Sequence, residues 1–261
     1  MKTILLIILA FFTSLKPAVS DSTEIYIIGT VHYETENFNG DSLHNMFLNI
    51  KPDVILMESD ASYLTEDFKI KPGYENIANE TRAVTEYYAD NEVLLRPYDI
   101  ENRDKFLFNT NRRRTERNFF EDLANLYEDG KLDPKAALLT NSLVNNMSEA
   151  QVMTFSTPFE INKDGSREII DRINYYDFDA VSEIIEDTPE LKEYESYWKE
   201  VNDFWILRNE EMVKNIKKYV NEFPGKRIVV LCGFAHKPYL LNGLEEMSLK
   251  NEIVIKNYWD H

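Results

Sequence analysis

The sequence predicts an α/β protein: a mixed, mainly parallel β-sheet flanked by helices, with a long helical insertion between its two sheet-forming ends. Three observations carry that expectation. Short Ile-, Val- and Leu-rich runs bounded by turn residues recur towards both ends of the chain, as buried strands do. Apolar residues at helical spacing lie between successive runs. The middle of the chain, about 102–223, is charged and helix-like, with one weak strand signal at 152–155.

In chain order, the first strand is expected at residues 24–28. Leu43, Met46, Phe47 and Ile50 then recur every three or four positions and stop before Pro52, which marks a helix and its end. Further strands are expected at 53–57 and 92–95. Residues 60–79 contain Pro72 and Gly73 and little periodicity, so they read as a loop or lid. A later helix shows the stripe Trp198, Val201, Trp205, Met212, Ile216 and Tyr219. After a strand at 226–231, Pro238 opens a helical stretch through Leu240, Leu241, Leu244 and Met247, and a last strand follows at 252–256.

Charge narrows the partners. The 261 residues hold 29 Lys plus Arg against 46 Asp plus Glu, a formal charge of −17. Such a balance argues against nucleic acid, whose phosphates are bound by cationic surface. Arg112, Arg113 and Arg114 form one basic run within acidic surroundings and read as a solvated helix face. Hydrophobic residues make up 43%, enough for one domain over 21–261 with its own core.

Residues 1–20 read as a secretory signal peptide. Lys2 precedes an unbroken apolar run at 4–12, and Ala18 and Ser20 supply small residues before a cleavage point after Ser20. A membrane span needs about 20 apolar residues, roughly twice this run, so no retained span is expected and the product is exported to the periplasm or the exterior. Cys232 is the only cysteine and cannot form an internal disulfide. It ends an apolar run and reads as a buried small hydrophobe.

The residues after the strands carry the chemistry. Gly29, Thr30, Val31 and His32 follow the first, Glu58 the second, Asp99 the third, and Gly233, Phe234, Ala235 and His236 the fourth. In an open parallel sheet, ligands bind beyond the carboxyl ends of the strands. His44 and His261 read as surface groups. Arg208 and Asn209 interrupt the apolar stripe of the late helix, and burying them requires partners, for which Glu58 is the evident candidate.

Four blocks in this order resemble the TraB, PrgY and GumN family, which is similar to the Tiki membrane proteases and more distantly to the erythromycin esterase and ChaN proteins. The blocks are Gly29-Thr30-Val31-His32; Pro52 through Glu58 with Asp60; Arg208-Asn209 with Met212; and Gly233-Phe234-Ala235-His236. Most of 61–204 matches nothing in the family, and the chain departs from the Tiki proteins in lacking a retained anchor. The resemblance implies a sheet core with helical insertions and a metallopeptidase site made from the paired glycine–histidine blocks, the glutamate and the arginine.

The residue types agree with that chemistry. His32, Glu58 and His236 make a three-ligand set that leaves a position open for water, and Zn, Mn and Co all accept such donors. Arg208 or Asn209 would stabilise a developing oxyanion. Gly29, Thr30, Gly233, Asn209 and Asp99 are candidate contacts to a peptide or small-molecule substrate. Glu58 is either ligand or general base. There is no His-Glu-x-x-His helix. Two alternatives stay open: a metal-free, esterase-like hydrolase with His32 or Glu58 as base, and a non-catalytic protein that binds a peptide or haem.

Overall fold

The computed structural model describes residues 22–107 and 110–260. The expected signal segment and His261 lie outside these residues. The chain runs β1 (Thr23–Thr30), α1 (Gly40–Ile50), β2 (Val54–Met57), α2 (Asn79–Asp90), β3 (Leu94–Pro97), α3 (Arg103–Leu107) and α4 (Thr110–Glu128). There follow α5 (Pro134–Thr154), α6 (Pro158–Asn162), α7 (Ser166–Asn174), α8 (Val181–Asp187), α9 (Glu195–Glu222), β4 (Arg227–Gly233), α10 (Lys237–Leu249) and β5 (Ile253–Lys256).

All five strands are parallel and lie in the order β3-β2-β4-β1-β5. The sheet is therefore purely parallel rather than mixed. Its two chain ends also interleave instead of forming adjacent halves, because β4 inserts between β2 and β1. A central β4 explains why residues 227–232 are almost wholly apolar: a strand covered on both faces has no polar side. Side-chain alternation sorts the sheet into two cores. Tyr26, Ile28, Ile55, Met57, Val229 and Leu231 pack with α1 and α2, whereas Ile25, Ile27, Val54, Leu56, Ile228 and Val230 pack with α9 and α10.

The insertion carries a third core. Phe119, Leu123, Leu143, Ile184, Leu191 and Trp198 join α4, α5, α8 and the first turns of α9. The weak strand signal at 152–155 falls on the end of α5, where Met153 is buried and Val152 exposed. A four-residue apolar patch at a helix end and a short strand give the same local pattern, and packing decided for the helix. Helix α2 was not anticipated. Its N-cap, Ala78, has no capping side chain, and the Thr81 hydroxyl bonds the Ala78 N–H instead.

Residues 60–79 are ordered by local contacts. They hold a 3-10 turn at Ala61–Tyr63, a bridge between Leu64 and Ile70, and an edge-to-face pair of Tyr63 and Tyr74 at 5.1 Å. A π-helical stretch, Tyr175–Ala180, links α7 to α8. It presents Phe178 to Trp205 at 4.6 Å, and Trp205 in turn stacks on His236 at 4.3 Å. Among the described residues no helix is long and apolar enough to cross a membrane.

Two predictions follow from this packing. Gly243 is where α10 meets α9: a Cβ there would stand 2.5 Å from Val213 Cγ2 and 2.7 Å from Cγ1. Overpacking costs about 1–3 kcal/mol and outweighs the helix-propensity gain of about 1 kcal/mol. Gly243→Ala is expected to lower the urea midpoint in the wild type and to be neutral or stabilising beside Val213→Ala. Asp177, in the π-helical stretch, has its carboxyl raised by burial from the ordinary 3.8 to about 6. Folding then takes up a proton between those values, so its contribution to stability falls as pH rises through that window. Asp177→Asn should unfold at higher urea than the wild type above about pH 6, with the difference gone below about pH 4.

Candidate functional site

Register brings the expected blocks together. Thr30 pairs with Gly233 across β1 and β4, and Met57 pairs with Leu231 across β2 and β4, so Glu58 leaves its strand beside the Gly233 turn. Glu58 is held from two sides. Its Oε2 accepts the Gly233 N–H at 2.5 Å, and its Oε1 accepts from Arg208 Nη2 at 2.5 Å. A Cβ at Gly233 would lie 3.0 Å from His32 Nε2 and 3.5 Å from Glu58 Oε2. Glycine there is a requirement of close approach, not of backbone angle.

Arg208 sits on α9, where the sequence placed a polar intrusion, and its partners are two carboxylates. Besides Glu58 it binds Asp99, through Nε to Oδ1 at 2.9 Å and Nη2 to Oδ2 at 2.8 Å. Arg103 completes the cluster by donating from Nη1 to Asp99 Oδ2 at 2.9 Å and to the Glu58 carbonyl at 3.1 Å. Two cations and two anions thus balance in a buried site. Burial alone would raise the Glu58 carboxyl, but the neighbouring His236 ring, the charges of Arg208 and His32 and the Gly233 N–H hold it well below the usual range. Burial likewise works against the Arg208 charge, yet Glu58 and Asp99 keep it firmly protonated.

The two histidines are oriented in the same way by different residues. His32 Nδ1 lies 2.7 Å from Glu80 Oε1. His236 Nδ1 lies 2.8 Å from Asn209 Oδ1, and the Asn209 amide is fixed in that sense because its Nδ2 donates to the Trp205 carbonyl at 2.8 Å. Each ring therefore gives its Nδ1 proton to an oxygen, which leaves Nε2 as the free nitrogen; His236 Nε2 stands 3.7 Å from Glu58 Oε1, and His32 Nε2 lies with Glu58 Oε2 against Gly233. Burial pushes the His236 pKa down to about 4, so it is neutral at pH 7. The Glu80 charge moves His32 the other way, well above its ordinary value. About half of the His32 side chain is exposed, which leaves it open to the cavity.

That cavity, about 360 Å³, is lined by the polar groups His32, Glu58, Arg103 and Arg208 and by the less polar Leu64, Ile70, Tyr74 and Ile77 from the segment after β2. Residues 60–79 form a wall of the cavity. Two lining residues hold buried oxygens with no hydrogen-bond partner among the described residues, Ser59 Oγ and Glu80 Oε2. Buried polar atoms without partners point to an occupant or ordered water.

The remaining expected contacts support these groups from behind. Asp99 has a fully buried carboxylate and Asn209 is wholly buried, so neither reaches the cavity. Thr30 hydrogen-bonds Glu80. Gly29 is bound on both backbone groups by Asn162, which accepts from its N–H at 2.7 Å and donates to its carbonyl at 2.9 Å. Cys232 is buried and its thiol is pushed well above the ordinary value by that burial, as expected of a core residue. His44 is half-buried against Tyr87 rather than on the open surface. Sequence reasoning missed Glu80, Arg103 and Asn162. Glu80 lay in the unrecognised α2, Arg103 is an ordinary charge at the start of a short helix, and Asn162 came from the unmatched insertion.

The donor types fit a divalent cation: two imidazole Nε2 atoms and a carboxylate, each imidazole braced through Nδ1. The set is not closed, since among the described residues no three His, Cys, Asp or Glu side chains stand together at ligand spacing. His32 is its half-exposed member. Comparison of the chain with protein-family models, curated proteins and solved structures finds no match.

Removing the buried guanidinium would leave Glu58 and Asp99 without their shared partner. Breaking a buried pair in this way costs about 3–5 kcal/mol. Arg208→Met should therefore lose that much in urea unfolding at pH 7; a loss below about 1 kcal/mol would mean that Arg208 does not hold the cluster together.

Proposed function

We propose that this chain is a hydrolase acting on a peptide or similar carbonyl compound, with a divalent metal ion held by His32, Glu58 and His236. The single observation that carries the reading is the common bracing of the two imidazoles beside Glu58, each with Nδ1 spent on an oxygen and Nε2 left free. A structural histidine needs no such arrangement, whereas a metal-ligating one almost always has it. The resemblance to the TraB, PrgY and GumN proteins supports the same reading.

A divalent ion at these atoms supplies Lewis acidity that brings the pKa of a water towards neutrality. The chain's own groups supply the rest. Glu80 and Asn209 fix the ring planes. Arg208 stays charged beside Glu58 and lines the cavity, where a guanidinium stabilises charge developing on an attacked carbonyl oxygen. Arg103 offers a second cation on the same wall. Leu64, Ile70, Tyr74 and Ile77 exclude water and receive an apolar side chain of the substrate. With its −17 charge, the chain tolerates neutral and cationic peptides better than acidic polymers.

The metal-free hydrolase reading draws on the Glu80–His32 pair, since a carboxylate-braced imidazole is also how a general base is positioned. Glu80 raises the His32 pKa, so at neutral pH His32 must give up a proton to act either as base or as metal ligand. Haem ligation by His236 is opposed by its burial under Trp205.

The test is turnover of a mixed peptide and ester library by chelator-stripped chain before and after addition of Zn, Mn or Co. Hydrolysis that appears only with metal, and drops at least about a hundredfold in His32→Ala and in His236→Ala, is the expected result. Turnover by the stripped chain would transfer the proposal to the metal-free mechanism. Glu80→Gln should weaken metal affinity about ten- to a hundredfold, the usual cost of losing a brace behind a ligating histidine, with the fold intact by circular dichroism.

A further inference from the structure

A second cavity, about 290 Å³, lies between α7, α10 and the β1–β5 edge and shares no lining residue with the first. Lys237 is its unusual member. The residue is only 8% exposed, and its ammonium donates to the Asn162 carbonyl and to Asn162 Oδ1, both at 2.9 Å. Both acceptors are neutral. No carboxylate pairs with Lys237 among the described residues, although a buried ammonium has strong need of one. Two of its three protons are used, leaving one donor.

The other cations on the wall differ from it. Lys163 pairs with Glu160 and Lys256 with Glu24. Arg167 hydrogen-bonds Asn242 and stands 3.9 Å from Asp171. One acid, Asp164, also lines the cavity. Ile27, Ile170, Leu241 and Ile255 supply apolar lining. Three of the four cations around the cavity thus stand beside an acid of their own, and Lys237 is the one without a carboxylate within ion-pair distance among the described residues. The volume is at the small end of ligand pockets.

We propose that this cavity binds a small amphiphilic carboxylate, whose anionic head pairs with Lys237 and whose short apolar tail rests on Ile27, Ile170, Leu241 and Ile255. The head supplies the counter-charge, and the tail meets the apolar part of the lining. Asn162 stands between this cavity and Gly29 of β1, and Lys237 follows His236 directly, so the site adjoins the first one without being part of it. It does not depend on the hydrolase reading.

The experiment is calorimetric titration of the chain with hexanoate, hexan-1-ol and inorganic phosphate, together with methyl NMR. Hexanoate should bind and shift the methyls of Ile27, Ile170, Leu241 and Ile255. Hexan-1-ol should bind at least about tenfold more weakly, as should hexanoate to Lys237→Met, for loss of a charge-assisted bond. Lys237→Arg should retain binding. Equal affinity for the alcohol, phosphate binding as tight as hexanoate, or shifts confined to Leu64, Ile70 and Ile77 would each overturn the proposal. Should Lys237→Met fail to fold, the wild-type methyl map and the alcohol comparison decide the matter.

Discussion

A guanidinium buried between two buried carboxylates cannot be lost piecemeal, because each group is tolerable in the interior only while the others remain. Arg208 occupies that position. It reaches from α9 to Asp99 beyond β3 and to Glu58 beyond β2, so one side chain ties the inserted helices to two strand ends. Glu58 is thereby fixed as an anion at the point where β1, β2 and β4 end. Everything else at the site is arranged around that charge: the Gly233 turn that lets His32 approach, the His236 ring beside it, and Arg103 balancing Asp99.

The second constraint is angular. An imidazole ring in a cavity can present either nitrogen, and a partner on Nδ1 removes the choice. Here the two partners come from elements far apart in sequence, Glu80 from α2 and Asn209 from α9. Those elements pack on opposite faces of the sheet. The sheet therefore acts as a spacer that brings a bracing residue from each face to its carboxyl edge. Trp205 adds a lateral hold by stacking on His236, and the π-helical stretch supports Trp205 through Phe178. The helical insertion, which shares no motif with the sheet-forming ends, is in this way part of the site's rigidity.

Much of this was legible in the sequence. All five strands were placed within a few residues, because buried parallel strands are continuous apolar runs and these are bounded by charged or turn residues. The glycine–histidine blocks announced themselves by position after such runs, and Arg208 by its intrusion on an apolar stripe. Strand order was not legible: nothing local in residues 227–233 says that β4 enters between β1 and β2 rather than beside them. Nor was Glu80. Its helix begins without a capping side chain, and a glutamate near a helix start is ordinary. Only the fold brings it to His32. Asp99 was legible as a polar group beyond a strand but not as a buried one, since its burial depends on Arg208 and Arg103 arriving from separate helices.

His32, Glu58 and His236 are proposed to face one ion. The most direct measurement is anomalous diffraction from crystals of the chain grown with manganese. A single strong peak is expected within coordination distance, about 2.0–2.2 Å, of both Nε2 atoms and a Glu58 oxygen. A site with no peak at saturating manganese, zinc and cobalt, in crystals where His32 and His236 keep their Nδ1 partners, would contradict it.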